Sequence, residues 1–125
     1  WSNPVPFTYA NGEHFYTPAS CSTLFRAGKT AHLYWIGNLL TANSNGNNPR
    51  NPLVIGRVDE TNFGLIKDTV VEIDHRHQAS ESENVELSNY KIMEHAGRDE
   101  IVIALTRRES GKWAHAPSWY RIKLN

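Results

Sequence analysis

Apolar residues recur along the chain in short runs rich in β-branched and aromatic side chains, separated by clusters of Gly, Asn, Pro and Ser. No stretch keeps the 3.6-residue spacing of an amphipathic helix, so the pattern is that of strands and turns. It predicts strands at Cys21–Arg26, Ala31–Ile36, Leu53–Val58, Thr69–Ile73, Leu87–Glu94, Glu100–Thr106 and Trp119–Leu124. A short strand at Pro4–Thr8 suits only a sheet edge, because Pro4 and Pro6 have no N–H to donate. Leu53–Val58 is apolar almost throughout, which predicts burial on both faces, and Gly56 within it predicts close approach of a neighbouring backbone. The expected fold class is all-β.

The connections alternate in length. Ala27–Thr30, Asp59–Asn62 and His95–Asp99 are tight, whereas Asn38–Pro52, Asp74–Glu86 and Arg107–Ser118 are long and polar. In an antiparallel meander, alternate connections lie at opposite ends of the sheet. The long loops are therefore expected at one end, and long loops in a compact domain are usually functional. Four-stranded meanders of roughly 40–50 residues are also the repeating blades of β-propellers. On that reading residues 1–18 close a preceding blade, 19–74 form a complete blade, and 86–125 form a last blade lacking its outer strand. About two and a half blades fall short of the roughly four that close a ring. The expectation is then either a segment of a larger propeller or a small β-sandwich with repetitive strands. The chain begins at Trp1 without a methionine, which is in keeping with a segment of a longer protein.

Composition narrows the function classes. With 125 residues, the chain is one domain at most. Thirteen basic and thirteen acidic side chains give no surplus for non-specific polyanion binding, so no nucleic-acid partner is expected. The longest apolar runs, Leu53-Val54-Ile55 and Ile101–Leu105, are far shorter than the ~18 residues that span a bilayer as a helix, so no membrane partner is expected. A single cysteine, Cys21, forms no internal disulfide. It has no orienting acid beside it, so it reads as a small buried hydrophobe rather than a nucleophile. No residue pattern fixes the localisation, and secretion or the periplasm is a guess. No phosphate-loop or nucleotide motif is present, and no cofactor is expected.

Several segments carry a resemblance. Trp1-Ser2-Asn3-Pro4 resembles the tail of an Asp-box repeat. Pro18–Ser22, Leu33–Asn38, Pro49–Gly56 and Leu87–Tyr90 resemble, in that order, the C-terminal part of sialidase-like BNR-repeat propellers, and Trp119-Tyr120-Arg121-Ile122 resembles their final strand. The resemblance implies a six-bladed propeller that binds glycans where its loops converge, within a parent acting as an exo-glycosidase. In sialidases, three arginines hold the substrate carboxylate, a tyrosine activated by a glutamate is the nucleophile, and an aspartate is the acid/base. The aspartate and the first arginine come from early blades, so this chain alone would contribute the glycan-binding face and be inactive. The alternative is a non-catalytic carbohydrate- or protein-binding propeller or sandwich module. Missing blades, or self-association through exposed strand edges, would then be the macromolecular partners.

The candidate residues follow from loop position together with this resemblance. Arg50 lies in an asparagine-rich loop that opens at Asn38, and its planar guanidinium suits a sugar carboxylate or paired hydroxyls. The plainer reading is a pairing with a nearby carboxylate. Ser88 and Asn89 are candidate pocket lining, with Asn38 placed beside them as substrate-binding. Glu86 and Tyr90 are the candidate catalytic pair; on a strand Glu86, Ser88 and Tyr90 would share one face, and the plainer reading of Tyr90 is a core aromatic. Trp113, on the last long loop, is the candidate stacking platform for a sugar ring. Asp74-His75-Arg76-His77 with Glu81 and Glu83 reads as a solvated loop. Two histidines one residue apart do not make a metal site, and none is expected.

Overall fold

The computed structural model describes residues 1–95, 97–109, 112–113 and 116–124, with Trp113 described by its backbone alone. The described residues form an all-β structure of ten strands with one 3₁₀ turn at Lys67–Thr69. Strands β1 (Thr23–Arg26), β2 (Leu33–Asn38), β3 (Leu53–Asp59) and β5 (Val71–Asp74) pair consecutively and antiparallel; β4 (Gly64–Leu65) pairs with the far end of β3. A second antiparallel sheet runs in the order β10 (Ser118–Lys123), β7 (Glu100–Leu105), β6 (Lys91–Glu94). Between β7 and β10 the chain makes a small hairpin of β8 (Arg108–Glu109) and β9 (Lys112–Trp113).

Two-residue periodicity decides which side chains meet. Tyr34 and Ile36 of β2, Leu53 and Ile55 of β3, and Ile101, Ile103 and Leu105 of β7 belong to one buried cluster, so the two sheets share a core. The alternate residues Trp35, Val54 and Val58 face the other way and are covered by Tyr9, Phe7 and Phe15 of the N-terminal arm. The rings of Phe7 and Phe15 lie 6.0 and 5.8 Å from that of Trp35. The central part of the first sheet is thus buried on both faces, which explains the nearly unbroken apolar run of β3.

Gly56 does sit at a close approach, nearest to two side chains and then to the Val70 main chain, whose Cα would lie 3.5 Å from a Cβ there. A Cβ there would lie 2.8 Å from Leu65 Cδ1 and 3.0 Å from Val70 Cγ2.

Four strand expectations begin too early. β1 begins at Thr23 rather than Cys21, and β2 at Leu33 rather than Ala31, whose φ of 56° belongs to a turn. The 3₁₀ turn delays β5 to Val71. Residues 87–90 are irregular, Asn89 having a φ of 59°, so β6 begins only at Lys91 and the shared-face argument for Glu86, Ser88 and Tyr90 does not apply. Pro4–Thr8 forms no strand; instead Tyr9 bridges Leu65 and the Thr8 carbonyl accepts from Leu65 N.

Candidate functional site

The three long connections meet at one end of the sheets. Glu86 forms isolated bridges with both Arg50 and Arg108, so the β2–β3, β5–β6 and β7–β10 connections are joined through main-chain hydrogen bonds. Leu87 N donates to Arg50 O at 2.8 Å, and Glu86 N to Arg108 O at 2.7 Å. The tight turns gather elsewhere and are tied to one another by Arg26–Glu60 and Lys29–Asp99 ion pairs.

Side chains reinforce the junction. Arg50 Nη1 donates to Glu86 Oε2 at 3.2 Å and to Ser88 Oγ at 3.3 Å, while its Nε donates to Asn47 O. Arg108 Nη1 donates to the same Glu86 oxygen at 3.2 Å. The Arg50 and Glu86 side chains are only 16% and 15% exposed. Beneath them Asn38, 2% exposed, shares its amide N–H groups among the carbonyls of Arg50, Pro52 and Leu87 at 3.0–3.1 Å. Its Oδ1 accepts from Ser20 Oγ. Arg50, Asn38, Glu86 and Ser88 are therefore brought together, as a bracket that fixes the loops. Arg108 completes that bracket and was missed by sequence reading.

The remaining candidates lie apart from the bracket. The Tyr90 ring belongs to the core, and its hydroxyl donates to Ile36 O at 2.7 Å. Burial pushes its pKa up to about 12, which opposes ionisation. Glu86 engages the two arginines, so carboxylate and phenol have separate partners. Asn89 Oδ1 accepts from the Cys21 thiol at 3.2 Å, and Cys21 is exposed rather than the buried hydrophobe expected. The stacking expectation for the Trp113 side chain lies outside the described residues.

The charged loop after β5 is anchored rather than simply solvated. Arg107 donates to Asp74, to Glu81 and to His75 O, and Tyr120 Oη donates to Asp74. The Arg107 contact holds the Glu81 carboxyl below the usual range, against a smaller opposing effect of burial. His75 turns outward to Glu72 at 2.7 Å. Among the described residues no group of three or more His, Cys, Asp or Glu is placed to hold a metal ion, and no helix is long and apolar enough to cross a membrane.

Between the two anchored loops lies a solvent-open cleft of about 540 Å³, lined by Asn45, Asn48, Pro49 and Asn51 on one side and Arg76, Glu83 and Asn84 on the other. Asn51 Nδ2 donates to Glu83 O across it. The cleft is built mostly of carboxamides, each able to donate and accept at once. Its size is that of a small-ligand site.

No protein-family model matches the chain, and neither a curated protein nor a solved structure matches it. The cleft must be read from its own chemistry. Asn84, like Arg108, was not singled out by sequence reading. The signal that would have found it is its position in the second of two long loops expected at the same end.

Proposed function

We propose that the chain binds carbohydrate in the asparagine-lined cleft, as the loop face of a sialidase-like β-propeller. The observation that carries this reading is the cleft itself: carboxamides from two loops, with one guanidinium and one carboxylate, held open by an ion-paired bracket. Sugar hydroxyls are paired donors and acceptors, and a wall of asparagines answers both roles. Rigid support of the loops lowers the entropic cost of binding. The consecutive meanders β1-β2-β3-β5 and β6-β7-β10, packed face to face, fit neighbouring blades, the second lacking a fourth strand. The N-terminal arm on the opposite face of the first sheet fits the remainder of a third.

Binding without hydrolysis is the function assigned to this segment. Tyr90 is committed to the core, and the bracket engages Glu86, so these two are not assembled as nucleophile and base, and the cleft presents polar recognition groups. An exo-glycosidase parent would supply its remaining catalytic groups from other blades.

A protein-binding module is the second reading. Trp119 and Met93, 62% and 47% exposed on the outer face of the β6-β7-β10 sheet, favour it.

A glycan array separates the two readings. The native chain is expected to retain a set of saccharides, and Arg76→Ala/Asn84→Ala to lose it while keeping its β-sheet circular dichroism. Retention by the double variant, or no retention by the native chain, overturns the carbohydrate reading.

A further inference from the structure

A second cavity adjoins the asparagine cleft, and the two share Pro49 and Asn51 as a common wall. It measures about 460 Å³, and its chemistry is different. Leu39, Leu40, Ala42, Pro52, Val54 and Val70 supply apolar surface, with the exposed Thr41, Asn43 and Glu72 and the shared Asn51 as its polar groups. The apolar surface is firm. Val54 belongs to the buried cluster around Trp35, and Leu39 and Val70 pack against it.

The dividing wall is held from behind. Arg50, between Pro49 and Asn51, turns inward to Glu86 and Ser88. Asn51 reaches Glu83 O on the far side of the first cavity. A ligand crossing the wall therefore meets a preformed ridge rather than a loop that must be ordered, and preorganisation of this kind is gained as affinity.

Saccharides are amphipathic: a pyranose carries hydroxyls around its edge and C–H groups on its faces, and acyl or aryl substituents add apolar surface. A single fully hydroxylated unit is served by the first cavity and gains little from the second, whose few polar groups leave most hydroxyls unpaired. We infer that the site is bipartite and takes a saccharide of at least two units. One unit lies among Asn45, Asn48, Asn51 and Asn84, and its neighbour lays a C–H face or an acyl or aryl substituent over Leu39, Ala42, Pro52 and Val70. This inference rests on the carbohydrate reading above and specifies its ligand.

The test is an array carrying each common terminal sugar as a mono-, di- and trisaccharide, probed with the native chain and with Ala42→Glu. Ala42 is exposed, so the substitution places a carboxylate beside the apolar cavity without entering the core. For at least one terminal sugar, the native chain should bind the disaccharide about tenfold more tightly than the monosaccharide, and Ala42→Glu should abolish that difference while leaving the monosaccharide unchanged. Equal binding of mono- and disaccharide throughout overturns the bipartite site alone, as does a length dependence that survives Ala42→Glu. Failure of the native chain to bind any saccharide overturns the carbohydrate reading, and the bipartite site with it.

Discussion

Arg50 and Glu86 are joined twice, through the main-chain bridge that pairs their segments and through an ion pair of 3.2 Å between largely buried side chains. The two residues lie 36 positions apart, so the contact fixes two long loops against each other beyond the last strand pair, Leu53 with Asp74. Arg108 shares the same Glu86 oxygen and ties in a third connection. The cleft beside this junction has the shape it has because the junction holds.

Glu86→Gln is expected to leave two guanidinium groups facing a neutral amide. Since the Arg108 side chain is about a third exposed, water recovers part of the loss. The expected cost is about 2 kcal/mol in urea unfolding. An unchanged midpoint would mean that the loops are held by their main-chain bridges alone.

Asn38 supports the same region from below, and its two conservative replacements separate donor from acceptor roles. Asn38→Ala leaves three carbonyls without their shared donor and should cost about 2–3 kcal/mol. Asn38→Asp should cost more, because it turns a carboxylate oxygen toward carbonyl oxygens in a buried site. Urea denaturation of both variants gives the order; Asp milder than Ala would contradict the donor role.

Much of this arrangement was legible in the sequence. Strand positions followed from β-branched and aromatic runs, and alternating loop lengths led to the end of the sheets where Arg50, Glu86 and Arg108 meet. Pairings made by side chains across long separations were not legible. Nothing local to Asp74, Glu81 or Arg107 announces their mutual contact, so a loop dense in charge read as solvated. Asn89 was the other obstacle: its left-handed backbone breaks the pleat before β6, and two-residue alternation fails across such a residue.

Tyr90→Phe distinguishes a core phenol from a nucleophile. Removing the hydroxyl takes from Ile36 O the side-chain donor that reaches it from Tyr90, at an expected cost of about 1 kcal/mol. Saccharide affinity, read by titration calorimetry, should not change. A selective loss of saccharide affinity with unaltered stability would return Tyr90 to the site.

The Arg107 contacts make an acid-sensitive clamp. The Glu81 pKa is lowered in the folded chain, so its contribution is fully present above the unfolded carboxyl value near 4.5 and is lost as pH falls through the folded value. Between about pH 5 and pH 3, native stability should fall more steeply than that of Glu81→Gln. Parallel slopes in urea unfolding across that range would show that the clamp adds nothing.

The proposed function requires that the cleft between the loops receive a saccharide. Its most direct test is a ¹H–¹⁵N correlation spectrum recorded while the chain is titrated with a saccharide retained on the array. Shifts are expected in the side-chain amide signals of Asn45, Asn48, Asn51 and Asn84 and in the backbone signals of Arg76 and Glu83, with the Trp119 and Met93 signals unmoved. Shifts confined to Trp119, Met93 and their neighbours would contradict it and place binding on the outer sheet face.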